Sequence, residues 1–164
     1  MSNTIDEGLL ADCFELLLEK AKEPVPGQKK WTEGETEDLY QYAYHFYKNG
    51  KYEEAADFFR TLTSINCSDR HYWIGLAGSL KMLKKYKEAI DTYAVAAVID
   101  SSDPLVHAHA ADCCFAAGEI DRGIQALESA ESLTAGKEHY QLLNSQLAVI
   151  RQAWCNQDIC NMEL

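Results

Sequence analysis

No stretch of this sequence approaches the roughly 20 consecutive apolar residues that a bilayer-crossing helix needs, and the first residues lack a basic start followed by an apolar run. Membrane insertion and export are therefore not expected. Positive charge is scarce as well: 15 Lys and Arg stand against 26 Asp and Glu, a net charge of -11. Such a surface repels a phosphate backbone instead of releasing counterions from it, so nucleic acid is not an expected partner. The six cysteines, at 13, 67, 113, 114, 155 and 160, follow no disulfide framework spacing. A chain of 164 residues that is 47% apolar buries enough core to need no staples, which fits a reducing cytoplasm.

The catalytic signals are missing too. There is no glycine loop for phosphate, because Gly75 and Gly78 fall inside a helical pattern, where small size suits close packing or ligand approach. His109 and Cys113 lie four apart, two ligands where a zinc site needs three or four. Cys155 and Cys160 sit in a tail without a nearby histidine and read as incidental thiols. No catalytic residue, metal site or cofactor is expected.

What the chain has is a repeat. Shifting it by 34 residues against itself aligns Leu39, Trp73 and His107; Ala43, Ala77 and Ala111; Phe46, Leu80 and Cys114; Tyr52, Tyr86 and Ile120; Ala55, Ala89 and Gly123; and Phe59, Tyr93 and Leu127. Large residues on two helices around small ones form the tetratricopeptide pattern, with alanine where helices approach and an aromatic in the adjacent gap. The third unit is the weakest match, since Gly123 replaces the alanine and His107 the large apolar residue.

Punctuation agrees with two helices per unit. Asn49-Gly50 and Gly118 supply turns, with Lys84-Lys85 as a less ideal middle version. Asp103-Pro104 reads as an N-cap followed by proline at the first helical position, and Ser68-Asp69 as a second start. The spacing predicts helix pairs at 36–48 with 53–66, 70–83 with 87–99, and 104–117 with 121–134. The expected architecture is an all-α, right-handed tetratricopeptide solenoid of three units, 36–69, 70–103 and 104–137.

Two segments flank it. Residues 1–35 hold a candidate helix at 6–22 and a linker from Glu23 to Gly34 that carries Pro24, Pro26 and Gly27. The helix has an apolar face wider than one surface helix needs, with Leu10, Phe14 and Leu17 on it, and is a candidate for self-association. Residues 138–164 comprise a capping helix over 138–154, with Tyr140, Leu143, Leu147, Ile150 and Trp154 at helical spacing, and a frayed end.

The informative cluster is Tyr40, Tyr44 and Tyr47, a stripe at i, i+4 and i+7. Leu39, Tyr42, Ala43 and Phe46 are expected to take the core positions of that helix, which leaves the tyrosines either to fill a junction with a neighbouring helix or to wall a groove. Rigid amphipathic rings give contact area at low entropic cost, which favours the groove. The equivalent columns carry Ile74, Gly78 and Lys81, then Ala108, Asp112 and Phe115.

The order and spacing of Asp38-Leu39-Tyr40, Gly50-Lys51-Tyr52-Glu53-Glu54-Ala55, Trp73-Ile74-Gly75-Leu76 and Ala110-Ala111-Asp112-Cys113, with the flanking helices, resemble the class II chaperones of bacterial type III secretion. The resemblance implies a cytoplasmic protein that binds hydrophobic translocator proteins, gripping an extended Pro-x-Leu-x-x-Pro segment in its concave groove. It implies groove roles for Tyr40, Tyr44, Tyr47, Ile74, Gly78 and Ala108, and a homodimer made by the first helix. The alternative is a general tetratricopeptide adaptor. An adaptor that clamps a C-terminal carboxylate wants Lys and Asn where Tyr40 and Tyr44 stand.

Overall fold

Thr32 starts the first helix by a reciprocal exchange. The Glu35 N–H donates to Thr32 Oγ1 at 3.2 Å, and the Thr32 N–H donates to Glu35 Oε2 at 2.9 Å, so two otherwise orphaned donors are satisfied. This capping box sets the start of α1 (Glu33–Lys48) and takes Gly34, assigned above to the linker, into the helix. The computed structural model describes residues 30–162, with side chains through Trp154. The segment 6–22 with Leu10, Phe14 and Leu17, most of the linker, and the side chains of Cys13, Cys155 and Cys160 lie outside that description.

After α1 come α2 (Tyr52–Ile65), α3 (Arg70–Met82), α4 (Tyr86–Ile99), α5 (Pro104–Ala116) and α6 (Ile120–Thr134). A 3-10 turn (Glu138–Tyr140) leads into α7 (Gln141–Met162). Among the described residues there is no strand. The final helix runs past the expected end at 154 as far as Met162, because no helix breaker interrupts it.

Within each unit the two helices are joined by one and the same turn. Backbone N–H groups of Lys51, Lys85 and Glu119 reach back to the carbonyls of Phe46, Leu80 and Cys114 at 3.0, 2.9 and 2.8 Å. The pivot residue lies in the left-handed region each time, with φ of 74° at Gly50, 60° at Lys84 and 77° at Gly118. Lys84 therefore holds a conformation that glycine adopts freely and a residue with a Cβ does not. Between units, Asp69 and Asp103 cap α3 and α5 by accepting from the N–H groups of His71 and Leu105, each at 2.9 Å. Arg70 bonds Asp103 at 3.0 Å and Asp100 at 2.9 Å, tying the start of one unit to the start of the next.

Each helix packs on its successor, and α1 also touches α3, so α1, α3 and α5 form an inner layer with α2, α4 and α6 outside. The aligned columns are the core: Ala43, Ala77, Ala111, Ala55 and Ala89 are fully buried, as are the Phe59, Tyr93 and Leu127 rings and side chain behind them. Tyr42 does not belong with them. It is 59% exposed, its ring near Phe58 at the edge of the array, where no described element lies over it.

The third unit departs from the pattern for a packing reason. A Cβ on Gly123 would fall inside 3.0 Å of the Phe115 ring, so the small residue makes room for a large one. Phe115 lies in the column of Tyr47 and Lys81 but does not face the groove. It is buried and stacks on Trp154 of α7, with centroids 4.5 Å apart and planes at 16°. Leu143 and Leu147 join it with Leu127 and Ala130 in a second core cluster, separate from the one that the first two units form together with Val106, Cys113 and Cys114 of α5. A bidentate bond from Arg151 to Glu131, at 2.9 and 2.7 Å, fixes α7 on α6.

Candidate functional site

The helical register of α1 turns Tyr40, Tyr44 and Tyr47 to the inner layer, and α3, packed beside it, brings Ile74 and Gly78 opposite. These five residues line one open cavity of about 230 Å3, together with Phe59, His71, Gly75, Tyr93 and His109. Ala108 does not line that cavity. It lies one compartment further along the groove, between α5 and α7.

The tyrosines are not equivalent. Tyr40 is half-buried, edge-on to Phe59 at 6.0 Å and 5.8 Å from Tyr72, so it fills the junction of three helices as well as walling the cavity. Burial, and then the Asp69 carboxylate, raise its pKa. Tyr47 stands edge-on to Tyr52 at 5.4 Å, and burial raises its pKa with a smaller opposing pull from Lys81. Tyr44 is 44% exposed, with Lys48 Nζ 4.7 Å above its ring, and is the one most free to meet a ligand. Each ring offers an apolar face and a hydroxyl that donates or accepts, and the raised pKa of Tyr40 and Tyr47 keeps those two hydroxyls protonated near neutrality.

Gly75 and Gly78 divide the two uses of a small residue. A Cβ on Gly75 would fall inside 3.0 Å of the buried Phe59 ring, so Gly75 serves packing. A Cβ on Gly78 would stand 3.6 Å from Tyr47, an ordinary contact, and would project into the groove. Gly78 keeps that floor low.

Sequence reasoning weighed His109 only as a metal ligand, not as a groove residue, and passed over His71. His109 is accessible at the groove floor, stacked on Tyr93 at 5.8 Å and 29°. The protein around it displaces bulk water, which lowers its pKa, and Lys81 adds to the effect while Asp112 and Asp103 oppose it. Cys113, four residues on, is fully buried, and burial pushes its thiol up to about 11, so the two do not share an open face. The signal that would have found His71 is one more turn of the stripe: it stands three residues before Ile74, as Leu105 does before Ala108. His109 follows Ala108 directly, in the column of Gly75. Tyr93 was assigned to packing alone; it is buried but also reaches the groove floor.

Paired helices in 34-residue register around an aromatic groove define a tetratricopeptide-type solenoid with a site shaped for a polypeptide segment. Residues 30–96 match the family described as ANAPC3, anaphase-promoting complex, cyclosome, subunit 3, which covers most of the first two units. The low calcium response locus protein H of Yersinia pestis is 30% identical over 117 residues, 71% of this chain and 70% of that protein. The chain belongs to this family, the translocator chaperones of type III secretion. Among solved structures, the translocator chaperone SycD of Yersinia enterocolitica, in complex with a peptide of the translocator YopD, has a TM-score of 0.72 at 28% identity, over 77% of this chain and 97% of that one. PcrH, in complex with the chaperone binding region of PopD, has a TM-score of 0.74 at 25% identity, over 79% and 98%.

Proposed function

We infer that this protein is a cytoplasmic chaperone that binds the hydrophobic translocator proteins of a type III secretion system and keeps them soluble before export. The observation that carries this reading is the shared cavity of Tyr40, Tyr44, Tyr47, Ile74 and Gly78, in a chain whose relatives hold translocator peptides. Apolar side chains and prolines of an extended Pro-x-Leu-x-x-Pro segment rest against the rings, and a proline-restricted segment loses little entropy on docking. The action is stoichiometric protection, with no bond made or broken and no cofactor. Those relatives also favour a secretion chaperone over a general adaptor.

The work is divided along the chain: dimer formation by residues 1–35, client holding by 36–137, and closure of the array by 138–164. A related chaperone crystallises in an alternative dimer, which supports self-association here. Changing Leu10 and Phe14 together to Glu should move the sedimenting species from dimer to monomer with helicity intact; a wild type already monomeric at tens of micromolar, where weak dimers populate, refutes it.

The groove is tested by calorimetric titration of a Pro-x-Leu-x-x-Pro peptide into the wild type and into Tyr40→Ala, Tyr44→Ala and Tyr47→Ala, with thermal melts alongside. Tyr44→Ala should cost about 2 kcal/mol of binding, the scale of an interface hot spot, with little change in melting. Tyr40→Ala and Tyr47→Ala should lose affinity and also some stability, because both rings support packing. Unchanged affinity in all three variants places the site elsewhere.

A further inference from the structure

The groove continues beyond the tyrosine cavity. Past His109 a second cavity of about 520 Å3 opens between α5 and α7, its apolar wall made by Leu105, Ala108, Leu143, Leu147, Val149 and Ile150. The compartment is more than twice the volume of the first, and its rim leaves large aliphatic groups to water: Leu105 is 47% exposed and Val149 67%. His109 belongs to both cavities, so the two are compartments of one surface.

The boundary between them is polar. Lys81 of α3 forms an ion pair with Asp112 of α5, both residues standing in the groove columns at the near wall of the second cavity. Lys81 is close enough to Tyr47 on one side and His109 on the other to bear on the ionisation of each.

We propose that the cavity between α5 and α7 is a second seat for the same client segment, taking an apolar side chain from the chain that runs on out of the tyrosine cavity, with Lys81 and Asp112 facing the polar stretch between the two anchors. The proposal rests on the reading of the groove given above. The occupant is the same segment because the shared wall at His109 makes this cavity the next surface along the groove, and because a hydrophobic client supplies what the exposed Leu105 and Val149 lack. The ion pair sets what lies between. An ammonium has three donors and a carboxylate several acceptor positions, so a paired Lys81 and Asp112 still have capacity for a passing backbone group or a small polar side chain. A bulky apolar side chain at that point strips water from both charges without replacing it. The groove thus selects two apolar anchors with a small or polar spacer.

The test titrates three synthetic peptides into the intact protein: a short Pro-x-Leu-x-x-Pro peptide, and two versions lengthened at one end or the other by about eight residues, roughly 26 Å of extended chain. The added residues are Ser and Gly next to the motif and leucines beyond. One lengthened peptide should bind about tenfold tighter than the short one. Leu105→Glu and Val149→Glu should each remove that gain while leaving the short peptide's affinity and the melting temperature unchanged, since both side chains are exposed. Replacing the Ser and Gly spacer by leucine should also remove it. If neither lengthened peptide gains affinity, or if the gain survives both substitutions, the second seat is refuted and the tyrosine cavity stands. A gain that survives the leucine spacer refutes the role of Lys81 and Asp112. If the short peptide itself does not bind, both readings fall.

Discussion

Gly75→Ala and Gly78→Ala make the same chemical change three residues apart on one helix, and the structure assigns them opposite signs. In an open helix the change is stabilising by about 0.8–1.0 kcal/mol, because alanine loses less backbone freedom on folding than glycine does. Gly78 collects that gain, since its new Cβ meets Tyr47 at 3.6 Å, ordinary van der Waals contact. Gly75 does not. Its Cβ would fall inside 3.0 Å of Phe59, a ring buried in the core between Ala55, Ala56 and Leu62, so the ring or the helix has to shift. Overpacking of this kind costs about 1–3 kcal/mol, which outweighs the propensity gain. The two variants should therefore differ by about 2 kcal/mol, or about 4–8 °C in melting temperature for a domain of this size. Denaturant melts followed by circular dichroism measure the difference, and peptide titration adds a second axis. Gly78→Ala should bind the Pro-x-Leu-x-x-Pro peptide more weakly although it is the more stable protein, because the methyl raises the groove floor. Equal stabilisation by both substitutions would refute the packing assigned to Phe59.

Lys84→Gly should stabilise the fold by about 1 kcal/mol, since relief of a left-handed residue bearing a Cβ exceeds the entropy glycine adds to the unfolded chain; a destabilised variant in urea melts contradicts the turn geometry. In the native protein Cys67 should react with iodoacetamide well before Cys113 and Cys114, which are buried with thiol pKa values pushed up by that burial, and peptide mass mapping reads the order. The pKa of His109 is lower in the folded chain than the ordinary 6.5, so the unfolded chain binds the proton first. Stability is complete above about pH 6.5 and falls as pH drops through the folded value. His109→Gln should show a shallower loss of melting temperature between about pH 7 and pH 5, and parallel curves would remove His109 as a contributor.

The helices and their packing columns were legible in the sequence because a fixed shift of 34 residues repeats them. Ala43, Ala77 and Ala111 need no geometry beyond that shift, and Asp103-Pro104 announces the start of α5 by its own chemistry. Tyr42 was misplaced because it stands three residues from Leu39 and four from Phe46, a spacing that periodicity scores as core. Among the described residues, nothing covers that face of α1, and Tyr42 is left exposed. Phe115 shows a different limit: column logic sets it beside Tyr47 and Lys81, but the partner that turns it inward, Trp154, comes from outside the repeat. His109, weighed only as a metal ligand, and Tyr93, read only as packing, were not placed in the groove because a groove floor is made where helices of different layers meet, and no single stripe records that. The second compartment was invisible for the same reason, since half of its wall comes from α7.

A stack of helix pairs has no natural length; nothing within one unit says how many should follow. Here the stop is written into residues of the last unit. Gly123 admits Phe115, the ring of Phe115 offers a flat face, and Trp154 covers it, so the place where a fourth unit would dock is occupied by the chain's own final helix. The array is end-blocked in the sense of a polymer whose growing tip has been capped. Inserting another repeat after Thr134 would have to evict that indole and supply a new ring in its place, whereas duplicating the second unit, whose two faces already match its neighbours, would lengthen the groove without disturbing the stop.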